Sequence, residues 1–111
     1  MYGGSYGVRD LEGLKSAISR PFQTFDTNDL YPTTIEKAAV LGESLIVNHP
    51  FIDGNKRTGF TAMIALIKED SLQLTANQVE AYNLTIGIST GEIRFDGIVL
   101  WLEKNSIKIQ A

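Results

Sequence analysis

One stretch of nine residues, His49-Pro50-Phe51-Ile52-Asp53-Gly54-Asn55-Lys56-Arg57, gathers most of the chemistry-bearing residue types of the chain. Asn55 reads as the N-cap of a helix, which puts Lys56 and Arg57 in its first turn. A helix N-terminus carries partial positive charge and prefers acidic side chains there. Two cations in that turn cost stability unless something negative binds beside them. The backbone N–H groups of residues 54–57, the helix dipole and the two cations together make an anion pocket suited to phosphate. Gly54 lets the backbone approach a phosphate closely, and the Asn55 amide is a hydrogen-bond donor. Asp53 borders the pocket. A carboxylate there repels a polyphosphate unless a cation bridges the two, and Mg²⁺ does so with one or two carboxylates plus phosphate oxygens. His49 is the only histidine of the chain. An ordinary histidine pKa of about 6.5 suits a general base near neutral pH. Phe51 is expected to be a core anchor that fixes the loop.

Each feature has an ordinary explanation when taken alone. A histidine ending a helix favours the C-terminal dipole, Asp-Gly is a common turn pair, and a Lys-Arg pair is usually a solvated face. Their concurrence within nine residues, with the cations at the unfavourable end of a helix, points to a phosphate ligand.

The surrounding pattern is helical. Leu11, Leu14 and Ile18 recur at helical spacing behind Asp10, a good N-cap, and this helix should stop before Pro21. Pro21 to Pro32 reads as an ordered loop anchored by Phe22, Phe25 and Tyr31. Thr33 and Glu36 form a capping box ahead of a helix with Ile35, Ala38, Ala39, Gly42, Leu45 and Ile46 on one face. Pro50 closes that helix near Asn48. The next helix runs from the Asn55 cap to about Glu69; its stretch Phe60 to Ile67 is apolar on nearly every side, as expected of a central buried helix. Thr75 and Gln78 repeat the capping-box pattern for a helix with Val79, Tyr82 and Ile86 on one face, ended by Gly91. Asp96 is placed to cap a last helix carrying Ile98, Trp101 and Leu102. Five helices predict an all-α fold in one domain over residues 1–111, with a flexible glycine-rich lead-in over 1–7 and a short tail over 106–111.

Composition removes many alternatives. The chain has 111 residues, 43% hydrophobic and 21% charged, an ordinary globular balance. Lys plus Arg is 10 against 13 for Asp plus Glu, a net charge of -3, so a generic nucleic-acid-binding surface is not expected. With no cysteine, disulfides, thiolate metal sites and a cysteine nucleophile are excluded. No secretory leader pattern opens the chain and no apolar stretch approaches a membrane span, so a cytoplasmic location without membrane contact is expected. Asp26-Thr27-Asn28-Asp29 begins like a calcium loop but has Tyr31 where that loop needs glycine. Asn83-Leu84-Thr85 is a glycosylation pattern inside a predicted helix. No phosphate-binding loop of the G-x-x-x-x-G-K-[ST] type occurs.

At His49–Arg57 the sequence resembles the Fic/Doc superfamily, and specifically its death-on-curing (Doc) branch. The signature H-x-F-x-[D/E]-G-N-[G/K]-R is matched at every defined position. The resemblance extends through Gly7-Val8-Arg9-Asp10, Leu30-Tyr31-Pro32 and Ala39 to Thr90-Gly91-Glu92-Ile93 and Trp101-Leu102, about residues 3 to 105. It implies a compact helical bundle with a central helix after the motif loop. By the same resemblance His49 takes a proton from a target hydroxyl, Asp53 holds Mg²⁺, and Gly54, Asn55, Lys56 and Arg57 bind ATP phosphates. The segment from Pro21 to Pro32 stands where family members have a flap that holds a target segment by strand-like pairing.

Two departures from the adenylylating pattern bear on the reaction. Lys56 stands where those members usually have Gly, and Phe60 where they have a second Arg. Doc-like members share the Lys and resemble kinases, which implies transfer of the γ-phosphoryl group to a hydroxyl of elongation factor Tu. Where this chain has Gly54, the best-studied Doc toxin has Ala. The resemblance also implies a separate antitoxin covering the site, since no inhibitory S/T-x-x-x-E-G/N helix occurs in the chain. Family members commonly carry a further helix ahead of the Tyr2-Gly3-Gly4 region, and its absence predicts an exposed apolar patch and a homo-oligomer or partner helix. AMP transfer is the alternative reaction, and an inactive binding module of the same fold is the alternative from another class.

Overall fold

The computed structural model describes residues 7–109. The lead-in expected over 1–7 lies outside the described residues except for Gly7, as do the region around Tyr2-Gly3-Gly4 and the last two residues of the tail. Helix α1 (Leu11–Ser19) starts where Asp10 accepts a hydrogen bond from the Gly13 N–H at 2.9 Å. It gives way at Arg20–Phe22 to a 3₁₀ turn in which Pro21 is buried. Its contact face differs from the expected one: Ala17 is the buried residue, while Leu11 and Ile18 are more than half exposed.

The segment expected as an aromatic-anchored loop is a small hairpin. Strands β1 (Thr24–Phe25) and β2 (Asn28–Asp29) pair antiparallel, Thr24 opposite Asp29 and Phe25 opposite Asn28. The two residues between them, Asp26 and Thr27, both have positive φ (56° and 67°), as a two-residue hairpin turn of the mirror-image type requires. Phe22 and Phe25 are exposed rather than anchoring. Tyr31 packs on Phe95, with ring centroids 5.4 Å apart, and the Lys37 ammonium ties the base of the hairpin by bonding Asp29 (3.1 Å) and the Tyr31 carbonyl.

Helix α2 (Thr34–Asn48) carries the expected capping box: the Thr33 hydroxyl accepts from the Glu36 N–H at 3.1 Å, and Glu36 Oε1 accepts from the Thr33 N–H at 3.0 Å. Ala38 to Val40 and Gly42 to Ile46 are buried, covering all sides of the helix, because the other four helices pack against it. Helix α3 (Asn55–Lys68), expected to be central, buries one stripe at four-residue spacing: Asn55, Gly59, Met63 and Ile67. Thr61 and Ala65 face solvent, and Phe60 and Ile64 are half-buried. The central helix is therefore the one ahead of the motif loop. The two helices approach closely through glycine. A Cβ on Gly42 would fall 2.3 Å from Met63 Cγ, and one on Gly59 would fall 2.7 Å from Ile46 Cγ1.

Strand β3 (Leu72–Leu74) leads to α4 (Gln78–Thr90), and after α5 (Phe95–Lys104) strand β4 (Ser106–Lys108) returns to pair with β3. The strand pairing moves the start of α4. Thr75 donates its N–H to the Asn105 carbonyl at 2.7 Å and so belongs to the extended segment. The capping box forms two residues later, between Asn77 and Glu80. The face of α4 is also not the expected one. Leu84, Thr85, Gly87 and Ile88 are buried, whereas Val79 and Tyr82 are exposed. The N-cap position of α5 is Arg94, without a side-chain cap, and Asp96 sits in the first turn. Ile98 and Leu102 are buried as expected, and half-buried Trp101 meets Phe60 edge-on at 6.5 Å.

Gly91 ends α4 in the left-handed region (φ 82°) and donates its N–H to the Ile88 carbonyl. An alanine there has open space for its methyl but must hold that backbone angle. Gly91→Ala is expected to destabilise the protein by about 1–2 kcal/mol in a urea titration, from backbone strain alone. Among the described residues no helix is long and apolar enough to cross a membrane.

Candidate active site

The nine-residue motif forms the connection between α2 and α3 and the first turn of α3. His49 takes a left-handed backbone conformation (φ 53°, ψ 50°) at the end of α2, a conformation that histidine enters more readily than most residues. It turns the chain sharply into Pro50, whose ring is fully buried. The loop is then stitched to the segment ahead of α1. Arg9 and Asp10 both donate backbone N–H groups to the Pro50 carbonyl (2.7 and 3.0 Å), Ile52 donates to the Gly7 carbonyl (2.9 Å), and the Arg9 guanidinium bonds the His49 carbonyl. Phe51 pairs with Val8 as a bridge through its backbone, and its ring is half-buried. Enclosed Pro50 and the backbone pairing thus supply much of the anchoring expected of Phe51.

Gly54, with φ 74°, occupies the N-cap position of α3 that was expected for Asn55, and the first helical hydrogen bond runs from Thr58 N–H to the Gly54 carbonyl. Asn55 is instead the first residue of the helix, with only 4% of its surface exposed. Its amide folds back over the loop. Oδ1 accepts from the Phe51 N–H at 2.9 Å, and Nδ2 lies 3.0 Å from the Phe51 carbonyl and 3.1 Å from His49 Nδ1. Asp53 Oδ1 accepts the Gly54 N–H at 2.8 Å, so the amides left facing the helix N-terminus are those of residues 55–57.

These residues line one side of a cleft of about 590 Å³. His49, Asp53, Gly54, Asn55, Lys56 and Arg57 all reach it, so the structure brings together every candidate residue of the motif except Phe51. Among the described residues no acid lies within 4.0 Å of Lys56 or Arg57, although five other basic residues are paired. The opposite wall comes from α4, through Gln78, Ala81, Tyr82 and Thr85. That wall was not recognised in the sequence. Its one visible signal was Tyr82 on an apolar stripe that turns out to face the cleft and solvent. Arg9 was also missed as a support of His49, since a guanidinium bonding a backbone carbonyl 40 residues away leaves no local pattern.

No cluster of three or more His, Cys, Asp or Glu side chains gathers among the described residues. A single carboxylate, Asp53, stands at the cleft beside two cations. That donor set suits Mg²⁺, which takes one or two carboxylates and completes its shell with water and phosphate oxygens, and does not suit a resident all-protein metal cage.

A helical fold built around α2, with the H-x-F-x-D-G-N-K-R loop opening on a cationic cleft, defines the class. A sequence model of the Fic/DOC family matches residues 1–67, and this chain belongs to that family. The match ends within the last turn of α3. The chain is also 41% identical over 76 residues to the protein named Toxin Doc of Mycolicibacterium smegmatis (strain ATCC 700084 / mc(2)155). That similarity covers 68% of this chain and 58% of the relative, so it spans less than two thirds of the relative's length.

Proposed function

We propose that this chain is a Doc-like toxin that transfers the γ-phosphoryl group of ATP to a serine or threonine hydroxyl of a target protein, elongation factor Tu by family resemblance, under restraint by an antitoxin in the cytoplasm. The observation that carries this reading is the unpaired Lys56–Arg57 couple at the N-terminus of α3, on the same cleft as His49 and Asp53. Similarity to Toxin Doc supports the toxin assignment. Lys56 and Phe60 support phosphoryl over adenylyl transfer. Phe60 lies against Trp101 and contributes an apolar wall where an adenylylating site usually has a second phosphate-binding arginine.

In this reading the amides of residues 55–57, Lys56 and Arg57 hold and orient the phosphates, and positioning with charge stabilisation supplies most of the rate. The target oxygen bonds to the γ-phosphorus as the bond to the β–γ bridging oxygen breaks. ADP leaves, and His49 receives the hydroxyl proton. Asp53 would hold Mg²⁺ at the cleft, where the ion bridges phosphate oxygens and neutralises developing charge.

The deciding experiment incubates the protein and Mg-ATP with a bacterial lysate, comparing γ- with α-labelled nucleotide. Label from the γ position alone supports the kinase. Label from the α position makes the chain an AMP transferase, and no label from either leaves a binding module. Arg57→Ala is expected to raise the KM for ATP about 10- to 100-fold by removing a charge-assisted phosphate contact; steady-state kinetics with the labelled target measures it.

A further inference from the structure

The Asn55 amide is oriented by the backbone of Phe51. Its oxygen faces an N–H at 2.9 Å and its nitrogen faces a carbonyl at 3.0 Å. Turning the amide over would set oxygen against oxygen and N–H against N–H, losing both bonds on a side chain that is almost fully buried. The second hydrogen of Nδ2 is then left for its remaining neighbour, His49 Nδ1, at 3.1 Å. An amide N–H requires a lone pair, and a neutral imidazole has one on only one of its nitrogens. A ring turned over would offer a carbon at that place and leave the buried N–H without an acceptor.

We infer that Asn55 is a positioning residue that holds neutral His49 in the tautomer protonated at Nε2. The His49–Asn55 contact, stacked on the two Phe51 bonds, carries the inference. In this tautomer Nε2 is a hydrogen-bond donor, and the ring's one lone pair, on Nδ1, is covered by the Asn55 amide. In this tautomer the ring can take up the target's proton only at Nδ1, after the Asn55 contact opens, and uptake at Nε2 requires the other tautomer. The consequence for catalysis rests on the proposed role of His49, whereas the tautomer does not.

The experiment reads the tautomer directly. His49 is the chain's only histidine, so long-range proton–nitrogen correlation spectra of ¹⁵N-labelled protein contain one imidazole. They are recorded at about pH 9, where histidines are neutral. The expected wild-type spectrum has a pyridine-type Nδ1 and a pyrrole-type Nε2 in a single form. In Asn55→Asp the carboxylate accepts but cannot donate, so the expected spectrum inverts, with the proton on Nδ1. A wild-type ring protonated at Nδ1, or exchanging between both forms, overturns the inference, as does a folded Asn55→Asp whose tautomer is unchanged. Should Asn55→Asp fail to fold, the wild-type spectrum still decides. A correct tautomer in a protein whose labelling is insensitive to His49→Ala would remove the catalytic reading and leave the positioning intact. Full activity with the wrong tautomer would do the reverse.

Discussion

Replacing His49 with alanine is expected to slow transfer to the target hydroxyl by a factor of about 10²–10⁴, the usual contribution of a general base. The loss should appear in kcat, because the phosphate contacts proposed for residues 55–57 do not pass through the imidazole. Alanine is a poor occupant of the left-handed backbone at this position, so a second variant separates chemistry from folding. Asn enters that region readily, and His49→Asn is expected to melt near the wild-type temperature while losing transfer to the same degree. Single-turnover phosphorylation with γ-labelled ATP, alongside thermal melts of both variants, measures the two effects separately. Transfer retained by either variant would remove His49 from the chemistry.

The largest expected effect on stability comes from Met63. Its side chain is fully buried and lies flat on the face of α2 that Gly42 leaves bare; a Cβ there would come within 2.4 Å of the sulfur. Met63→Ala removes the chain that fills this contact, and Gly42 has no side chain to relax into the space. A loss of about 2–5 kcal/mol is expected, equivalent to on the order of 10–20 °C in melting temperature. Gly42→Ala alone should destabilise by about 1–3 kcal/mol through overpacking. The double variant should be more stable than the sum of the two losses, because the new methyl occupies part of the vacated space. Additive losses in urea titrations would show that the contact is not shared.

The legible parts of this protein were those written in local chemistry. The Thr33–Glu36 capping box, the Gly91 terminus, the break at Pro21 and the nine-residue motif each depend on residues within a few positions of one another. The misread parts depend on distant partners. An apolar run such as Phe60 to Ile67 records composition, but burial depends on how many elements surround the helix, and α2 has the neighbours. The Thr75 cap was displaced by a backbone partner, Asn105, 30 residues away. The hairpin at residues 24–29 was hidden because its turn uses Asp26-Thr27 rather than the Asn-Gly or Asp-Gly pair that marks such turns, and threonine pays a steric cost there. At the site the residue types were visible, and their division of labour was not. Asn55 proved to be buried and turned back on the loop, a geometry that required knowing that Gly54 takes the cap position.

The pairing of β3 with β4 has a consequence for how the cleft is assembled. Leu72 to Leu74 lie opposite Lys108 to Ser106, reinforced by the Asp70–Lys108 ion pair at 3.4 Å. This latch closes the chain from 72 to 108 on itself, enclosing α4 and α5. The cleft therefore has one jaw built from the segment that carries the family signature and another built from a segment that is closed by its own strand pair and shares the same core. In the proposed reading the chemistry falls to the first jaw, and the second shapes what fits against it. Substitutions at Gln78, Ala81 and Tyr82 can recast that shape while the His49–Arg57 loop stays as it is.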